Sequence, residues 1–273
     1  MKSAVPSTAG AGTQLPLRAQ HDFERSIDSL DEIFAFVRPA LDECGAGSAD
    51  AYAILMTIEE LFTNMVKYNA SGAGRIALEL ECAVGSVACV LTDPDSERFD
   101  MTQAPDVDIH QPVEQRRPGG LGIHLIRRLV DSVRYEYAGR RSRIAFRRTF
   151  SGSVAGGSGE PGLISPHPAN TGDSTMFDIG YGNDGVIALT GRFDAAQCDK
   201  VEGFLEAADA PRVFDFGGLE YISSAGLGVL LKAHKRLLAS GGRLRLINVN
   251  QHIHDIFRFS GFDKVFDVER AGA

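Results

Sequence analysis

The sequence predicts two α/β domains in tandem. In both halves, short apolar runs of strand character alternate with helical segments whose apolar residues recur at three-and-four spacing. Between the halves, residues 151–174, "SGSVAGGSGEPGLISPHPANTGDS", are rich in Gly, Ser and Pro and keep neither period, the composition of a flexible linker. At 273 residues the chain is also longer than most single domains. The expected division is a flexible arm over 1–15, a first domain over 16–150, the linker over 151–174 and a second domain over 175–273.

The first domain should open with helices near residues 23–44 and 49–68, followed by strands near 75–80 and 86–91. An irregular Pro/Asp-rich stretch then leads to a helix near 122–133 and a hairpin over 134–137 and 143–149. The second domain alternates strands near 176–181 and 186–190, a helix near 195–207, a strand near 212–216, a helix near 225–239, a strand near 244–248, a helix near 251–260 and a strand near 264–268. That order suits a mostly mixed sheet with helices packed on it.

Composition excludes several classes. Apolar residues make up 44% and charged residues 23% of the chain, a globular balance, and no apolar run approaches the roughly 20 residues that span a bilayer. No membrane contact is expected, and the N-terminus lacks the continuous apolar core of a signal peptide, so a cytoplasmic protein is expected. A net charge of −8 argues against direct nucleic-acid binding, which needs a basic footprint. Arginines nevertheless crowd residues 116–148, as a solvated face or as a surface for an anionic partner. Cys44, Cys82, Cys89 and Cys198 form no metal-ligand spacing and read as reduced structural positions.

On "AYAILMTIEELFTNMVKY", Ala51, Ile54, Leu55, Ile58, Leu61, Phe62 and Met65 form one apolar stripe, while Glu60, Asn64 and Lys67 gather on the opposite side. Such a face is ordinarily solvated. A mid-helix Asn is a poor choice for that purpose, because its short amide competes with the backbone. A carboxylate, an amide oxygen and an ammonium in one stripe suit phosphoryl transfer: Glu takes a hydroxyl proton, Asn ligates Mg²⁺ and Lys offsets phosphate charge. Downstream, "RPGGLGIHLIRRLVDSV" places Gly119, Gly120 and Gly122 at a helix start, where backbone N–H groups can approach an anion. His124 within that helix reads as a packing or surface residue. In "EYISSAGLGVLL", Ser223 and Ser224 stand between a strand and a helix, where either can cap the helix. His252 and His254, two residues apart, point to different sides of a helix and make a poor metal site.

Taken together, "EELFTNMVKY" resembles the N-box, and "GGLGIHLIRRLVDSVRY" the second glycine box, of the GHKL-type ATPase domain of bacterial anti-sigma-factor serine kinases. The resemblance covers residues 16–150. It implies an α/β sandwich that binds ATP and Mg²⁺, with Glu60 as general base, Asn64 as the Mg²⁺ ligand, Lys67 and Tyr68 beside the nucleotide, and Gly119, Gly120 and Gly122 in a phosphate lid. In "TDPDSERFDM", Asp93 matches the adenine-reading aspartate and Phe99 and Asp100 match a Phe-Asp pair. Asp95 stands where the family carries Gly, adding a Cβ and a charge near the ligand.

"VIALTGRFDAAQ", "VFDFGGLEYISSAGLGVLLKAHKRL" and "GGRLRLINVNQHIHDIFRFSGF" resemble a STAS domain of the anti-sigma-factor antagonist type over residues 175–273. Alignment on Gly-Leu-Gly implies that Ser224 is the phospho-acceptor. The two resemblances together imply an ATP-dependent protein serine/threonine kinase joined to its own antagonist. Its expected partners are a sigma factor, a separate STAS protein or its own STAS domain, and a homodimer stays open. The alternative is a degenerate ATPase domain that binds partners without catalysis.

Overall fold

The computed structural model describes residues 17–69, 71–100, 103, 108, 120–151, 176–182, 185–208 and 212–272. The expected N-terminal arm, nearly all of the expected linker, and Gly119 lie outside these residues.

Strand β1 (Leu17–Phe23) leads into helices α1 (Leu30–Glu43) and α2 (Ser48–Tyr68), the hairpin β2 (Ile76–Ala83) and β3 (Ser86–Asp93), helix α3 (Leu121–Leu129), and a second hairpin, β4 (Ser132–Ala138) and β5 (Arg141–Thr149). These strands form a wholly antiparallel sheet in the order β1-β2-β3-β5-β4. Along β2, buried residues alternate with more exposed ones, as expected of a sheet with one face covered. Phe23, Ile54, Phe62, Leu78 and Leu91 are among the fully buried side chains between that face and the helices.

Two features depart from the sequence reading. Residues 17–23 pair as an edge strand with β2, from Leu17 opposite Cys82 to Phe23 opposite Ile76, so the helix expected from residue 23 begins only at Leu30. Within β1 only Phe23 is fully buried; Leu17 and Ala19 pack on the core at alternate positions but polar His21 interrupts the pattern, which weakens the periodic signal. Cys44 and Cys82, expected to be reduced, are joined in a disulfide with a Cα–Cα separation of 5.9 Å. The end of α1 and β2 are adjacent in space although 38 residues apart in sequence, a proximity that cysteine spacing does not reveal.

The second half forms a mixed sheet in the order β10-β9-β8-β7-β6. It comprises β6 (Asp178–Tyr181), β7 (Ile187–Phe193), helix α4 (Cys198–Ala207), β8 (Val213–Ile222), α5 (Ser224–Ala239), β9 (Arg245–Val249), α6 (Gln251–Phe259) and β10 (Asp267–Arg270). Only β6 runs antiparallel to its neighbour; β7 to β10 are parallel. Both halves are therefore α/β domains, as expected. Strand β8 continues well beyond residue 216, through Gly217 and Gly218. A Cβ on Gly218 would lie 2.7 Å from Thr190 Cγ2 on β7, so this glycine permits close strand packing rather than a turn. Among the described residues, no helix is long and apolar enough to cross a membrane.

Candidate functional site

Helix α2 lies between the two domains. One side packs against the first sheet through Ile54, Ile58, Leu61 and Phe62, and the other meets the C-terminal ends of β7 and β8 through Tyr52, Glu59 and Glu60. Of the face that the sequence suggests is solvated, Glu60 meets the second domain, Asn64 is half-buried and Lys67 is exposed. Ligand and partner surfaces of open parallel sheets commonly lie at this carboxyl end of the strands.

At the centre of the contact, Ser224 Oγ donates a hydrogen bond to Glu60 Oε2. Ser224 is the first residue of α5. Its neighbour Ser223 is the N-cap, accepting from the Gly226 N–H at 3.2 Å. The two serines therefore divide the tasks: Ser223 closes the helix end and Ser224 faces the carboxylate. Glu60 Oε1 accepts from Asn64 Nδ2 at 2.9 Å, which turns the Asn64 carbonyl oxygen away from this carboxylate. On its other side Glu60 touches α3: a Cβ on Gly122 would fall 1.8 Å from the Glu60 carboxyl carbon. Gly120, with φ 78°, caps α3 in the left-handed region that favours glycine.

Around this centre the interdomain bonds of Tyr52 and Glu59 are buried. Glu59 Oε2 accepts from Tyr221 Oη at 2.5 Å and Oε1 from the Ala195 N–H at 2.8 Å. Burial, reinforced by the nearby Asp194 carboxylate, pushes the Glu59 carboxyl up to about 8. Tyr52 Oη donates to the Ile222 carbonyl at 2.8 Å and accepts the Ile222 N–H at 3.0 Å. Its ring lies 4.9 Å from that of Tyr221, which in turn meets Phe34 edge-on at 5.3 Å. Arg192 stacks on Phe34 at 4.1 Å and bonds Asp194 at 2.7 Å and Asp31 of α1. On α3, His124 Nε2 lies 3.2 Å from the Phe259 carbonyl at the end of α6, so this residue joins the domains as well as packing.

A cleft opens beside Asn64 on the first domain, lined by Leu61, Met65, Tyr68, Asn69, Asp93, Phe99, Tyr135, Ser142 and Ile144 among others. Tyr68 and Phe99 stack at its mouth, 4.9 Å apart. Asp93, fully buried, receives Arg25 Nη1 at 2.8 Å, Arg25 Nη2 at 2.5 Å and the Asp95 N–H at 3.1 Å. The Asp95 side chain is not part of the cleft lining. It accepts the Ala73 N–H at 2.8 Å and Arg140 Nε at 2.6 Å, and these bonds, the Ala73 one foremost, hold its carboxyl below the ordinary range.

The structure thus brings Glu60, Asn64, Gly122 and Ser224 together and places Asn64, Tyr68 and Asp93 around one cleft. Lys67 is exposed and outside the cleft lining, close enough to Cys198 of the second domain to act on its thiol electrostatically. Several of the expected arginines are engaged within the first domain: Arg148 by Asp50, Arg140 by Asp95 and Arg143 by Glu136. Sequence reasoning missed Arg25, Tyr52, Glu59, Asn69, Ser142, Arg192 and Tyr221. For α2 a signal existed: Tyr52, Met56, Glu59 and Thr63 repeat at helical spacing and form a second buried stripe.

Residues 23–148 match the family model described as a histidine kinase-like ATPase domain, and residues 180–268 match the STAS domain model. BtrV of Bordetella bronchiseptica, named as an anti-sigma factor antagonist, is 36% identical over 87 residues, 30% of this chain and 75% of that protein. The anti-sigma F factor antagonist of Paenibacillus polymyxa is 27% identical over 88 residues, again 30% of this chain and 75% of the relative. A solved structure of the RsbU and RsbW domains of a Mycobacterium tuberculosis protein aligns at 17% identity and TM-score 0.35, covering 49% of this chain and 32% of that one. The second half thus shares its family with curated antagonists, and the chain belongs to the STAS-domain anti-sigma factor antagonist family, carrying a histidine kinase-like ATPase domain ahead of its STAS domain.

Proposed function

We propose that the chain is a partner-switching regulator of sigma-factor-dependent transcription, in which an ATP-dependent serine kinase domain (residues 16–150) acts through the linker (151–174) on its own STAS domain (175–273). The observation that carries this reading is the hydrogen bond from Ser224 Oγ to Glu60 Oε2. It joins the residue expected to accept phosphate to the residue expected to remove its proton.

The cleft residues fit an adenine nucleotide with Mg²⁺. Tyr68 and Phe99 offer aromatic surface, Ser142 and Asp93 polar edges, and Asn64 a carbonyl oxygen of the hard kind Mg²⁺ prefers. Bound ATP would supply the transferable phosphoryl group. Glu60 takes the hydroxyl proton as Ser224 Oγ becomes the nucleophile, and Asn64 Nδ2 steadies the Glu60 carboxylate. Gly119, Gly120 and Gly122 precede or begin the helix that reaches Glu60 and supply the phosphate lid. Lys67, outside the cleft lining, offsets phosphate charge from the rim.

Phosphate on Ser224 brings about −1.5 to −2 charges against the Glu60 carboxylate, which disfavours the docked state. At the first turn of α5 the same charge is tolerated by the helix dipole, so the STAS fold survives while the interface fails. The released kinase face is then open to a sigma factor or to a separate STAS protein. Peptide mass spectrometry after incubation with Mg-ATP tests the reading, with wild type expected to gain a phosphate on Ser224 that is absent in Glu60→Ala and Ser224→Ala.

A second reading, a partner-binding module without catalysis, is favoured by one observation. Both oxygens of Asp93 already receive N–H groups from Arg25, and a base amino group would have to compete for them. Nucleotide bound without any transfer to Ser224 or to an added STAS protein would select it.

A further inference from the structure

We propose that Glu59 and Tyr221 form the recognition pair by which the ATPase-like domain accepts this STAS domain and rejects STAS domains that present no hydroxyl at the Tyr221 position. The argument rests on the docked arrangement that the proposed function also uses, and it asks which of the interdomain contacts can discriminate between partners.

Most of them cannot. Tyr52 reads the N–H and C=O of Ile222, and Glu59 Oε1 reads the N–H of Ala195; these are backbone groups that any chain with the same strand ends would offer. His124 likewise meets a backbone carbonyl. Ser224 is the group any acceptor partner must carry. Arg192 meets Asp31 at the rim, where the Asp31 side chain is 83% exposed, and exposed ion pairs contribute little and are screened by salt.

The Glu59–Tyr221 bond differs in each respect. It joins two side chains, and both are buried: Glu59 is 2% and Tyr221 1% exposed. Replacing the phenol by a phenyl ring would keep the shape and the ring contacts with Tyr52 and Phe34 while leaving Glu59 Oε2 buried without its donor. Unpaired buried polar groups are the strongest form of discrimination a binding surface has, stronger than a missing methylene. Burial already holds the Glu59 carboxyl well above its ordinary range, so little solvation remains to replace the lost bond. Glu59 also stands next to Glu60 on α2, so the pair that selects the partner sits one residue from the pair that would act on it.

The experiment uses the full chain and a docking readout independent of catalysis. The Ile222 N–H bonds Tyr52 Oη across the interface, so its exchange with deuterium reports interdomain opening, while an amide inside the second sheet, that of Leu246, reports the STAS fold. Tyr221→Phe is expected to speed Ile222 exchange roughly tenfold or more, with Leu246 unchanged. Glu59→Gln should stay near wild type, because its carbonyl oxygen can accept the Ala195 N–H while its amide NH2 donates to Tyr221 Oη. Glu59→Met should loosen the interface from the other side, and this variant carries the test if Tyr221→Phe unfolds the STAS domain, as Leu246 would reveal. The combination Glu59→Met with Tyr221→Phe should exchange more slowly than Glu59→Met alone, because the Ala195 N–H lacks its acceptor in both but only the single variant also strands the Tyr221 hydroxyl. Wild-type exchange in Tyr221→Phe, or a double variant as loose as Glu59→Met, overturns the proposal. Phosphate on Ser224 is followed in the same samples. Its absence in wild type would count against the kinase reading alone, since Ile222 protection would still decide the role of the pair.

Discussion

Ser224 Oγ donates its hydrogen bond to Glu60 Oε2 although the two residues are 164 positions apart and belong to different domains. A serine at a helix start usually turns inward to cap it; here Ser223 has that task, and Ser224 is left with its hydroxyl on a carboxylate. Glu60→Gln keeps the shape but removes the proton acceptor. Phosphate incorporation at Ser224 should fall by about 100-fold or more, measured by phosphopeptide mass spectrometry under single-turnover conditions.

Ser224→Glu places a second carboxylate against Glu60, with Glu59 adjacent. Like charges meeting in a partly buried contact should separate the domains while leaving each folded. Small-angle scattering should show a more extended particle, and unfolding by heat should lose cooperativity between the halves. An unchanged scattering profile would mean that the contact tolerates the charge.

Gly122 leaves no room for a side chain, since its Cβ would lie 1.8 Å from the Glu60 carboxyl carbon. Gly122→Ala should therefore displace Glu60 or push α3 outward, at about 1–3 kcal/mol of stability. Phosphate transfer to Ser224 should be lost even at temperatures where circular dichroism shows the variant folded. Retained transfer would mean that Glu60 can reach its partner from another rotamer.

Docking should weaken as pH rises. Burial, then the Asp194 carboxylate, lift the docked Glu59 carboxyl to about 8 from an ordinary value of 4.5. A group raised in this way contributes stability that is fully present below its undocked value and is lost as pH rises through its docked value. Of the groups facing it, Tyr52 and Tyr221 are raised further and stay protonated, and burial raises Asp194 as well. Energy transfer between dyes on the two domains should thus fall from pH 6 to pH 9, and Glu59→Gln should flatten the curve.

The Cys44–Cys82 disulfide ties the end of α1 to β2 across 38 residues. Chain-entropy arguments give such a loop about 2–4 kcal/mol. Cys82→Ser, or full reduction, should lower the unfolding midpoint of the first domain by several degrees without altering the Ser224–Glu60 contact. Equal midpoints under oxidising and reducing conditions would show that the bridge contributes nothing in solution.

The meeting of Glu60, Asn64 and Ser224 involves residues the sequence singles out, Asn64 as an awkward choice for a solvated helix face, Glu60 in its stripe and Ser224 by the Gly-Leu-Gly that follows it, whereas Lys67 of the same stripe stays exposed. Glu59 was not legible, because a glutamate beside another glutamate reads as surface charge, and only the second domain buries it. Strand β1 escaped notice for the opposite reason: it lies at a sheet edge, and the alternation of Leu17, Ala19 and Phe23 is weak, broken by His21 and fully buried only at Phe23. The second half of β8 was hidden by Gly217 and Gly218, which signal a turn locally but here make way for the neighbouring strand. In each case the missing information was tertiary: which surface a residue would meet.

A helix at a protein surface normally shows a rhythm when its positions are varied one by one, with permissive sites returning every third or fourth residue where water replaces a lost contact. Helix α2 has buried residues on both flanks for most of its length, from Tyr52 to Met65. A saturation scan of this chain should therefore find α2 intolerant along nearly every turn, with two superimposed causes. Substitutions at Ile54, Ile58 and Phe62 would erode the fold, whereas those at Tyr52 and Glu59 would leave a folded chain whose halves have come apart.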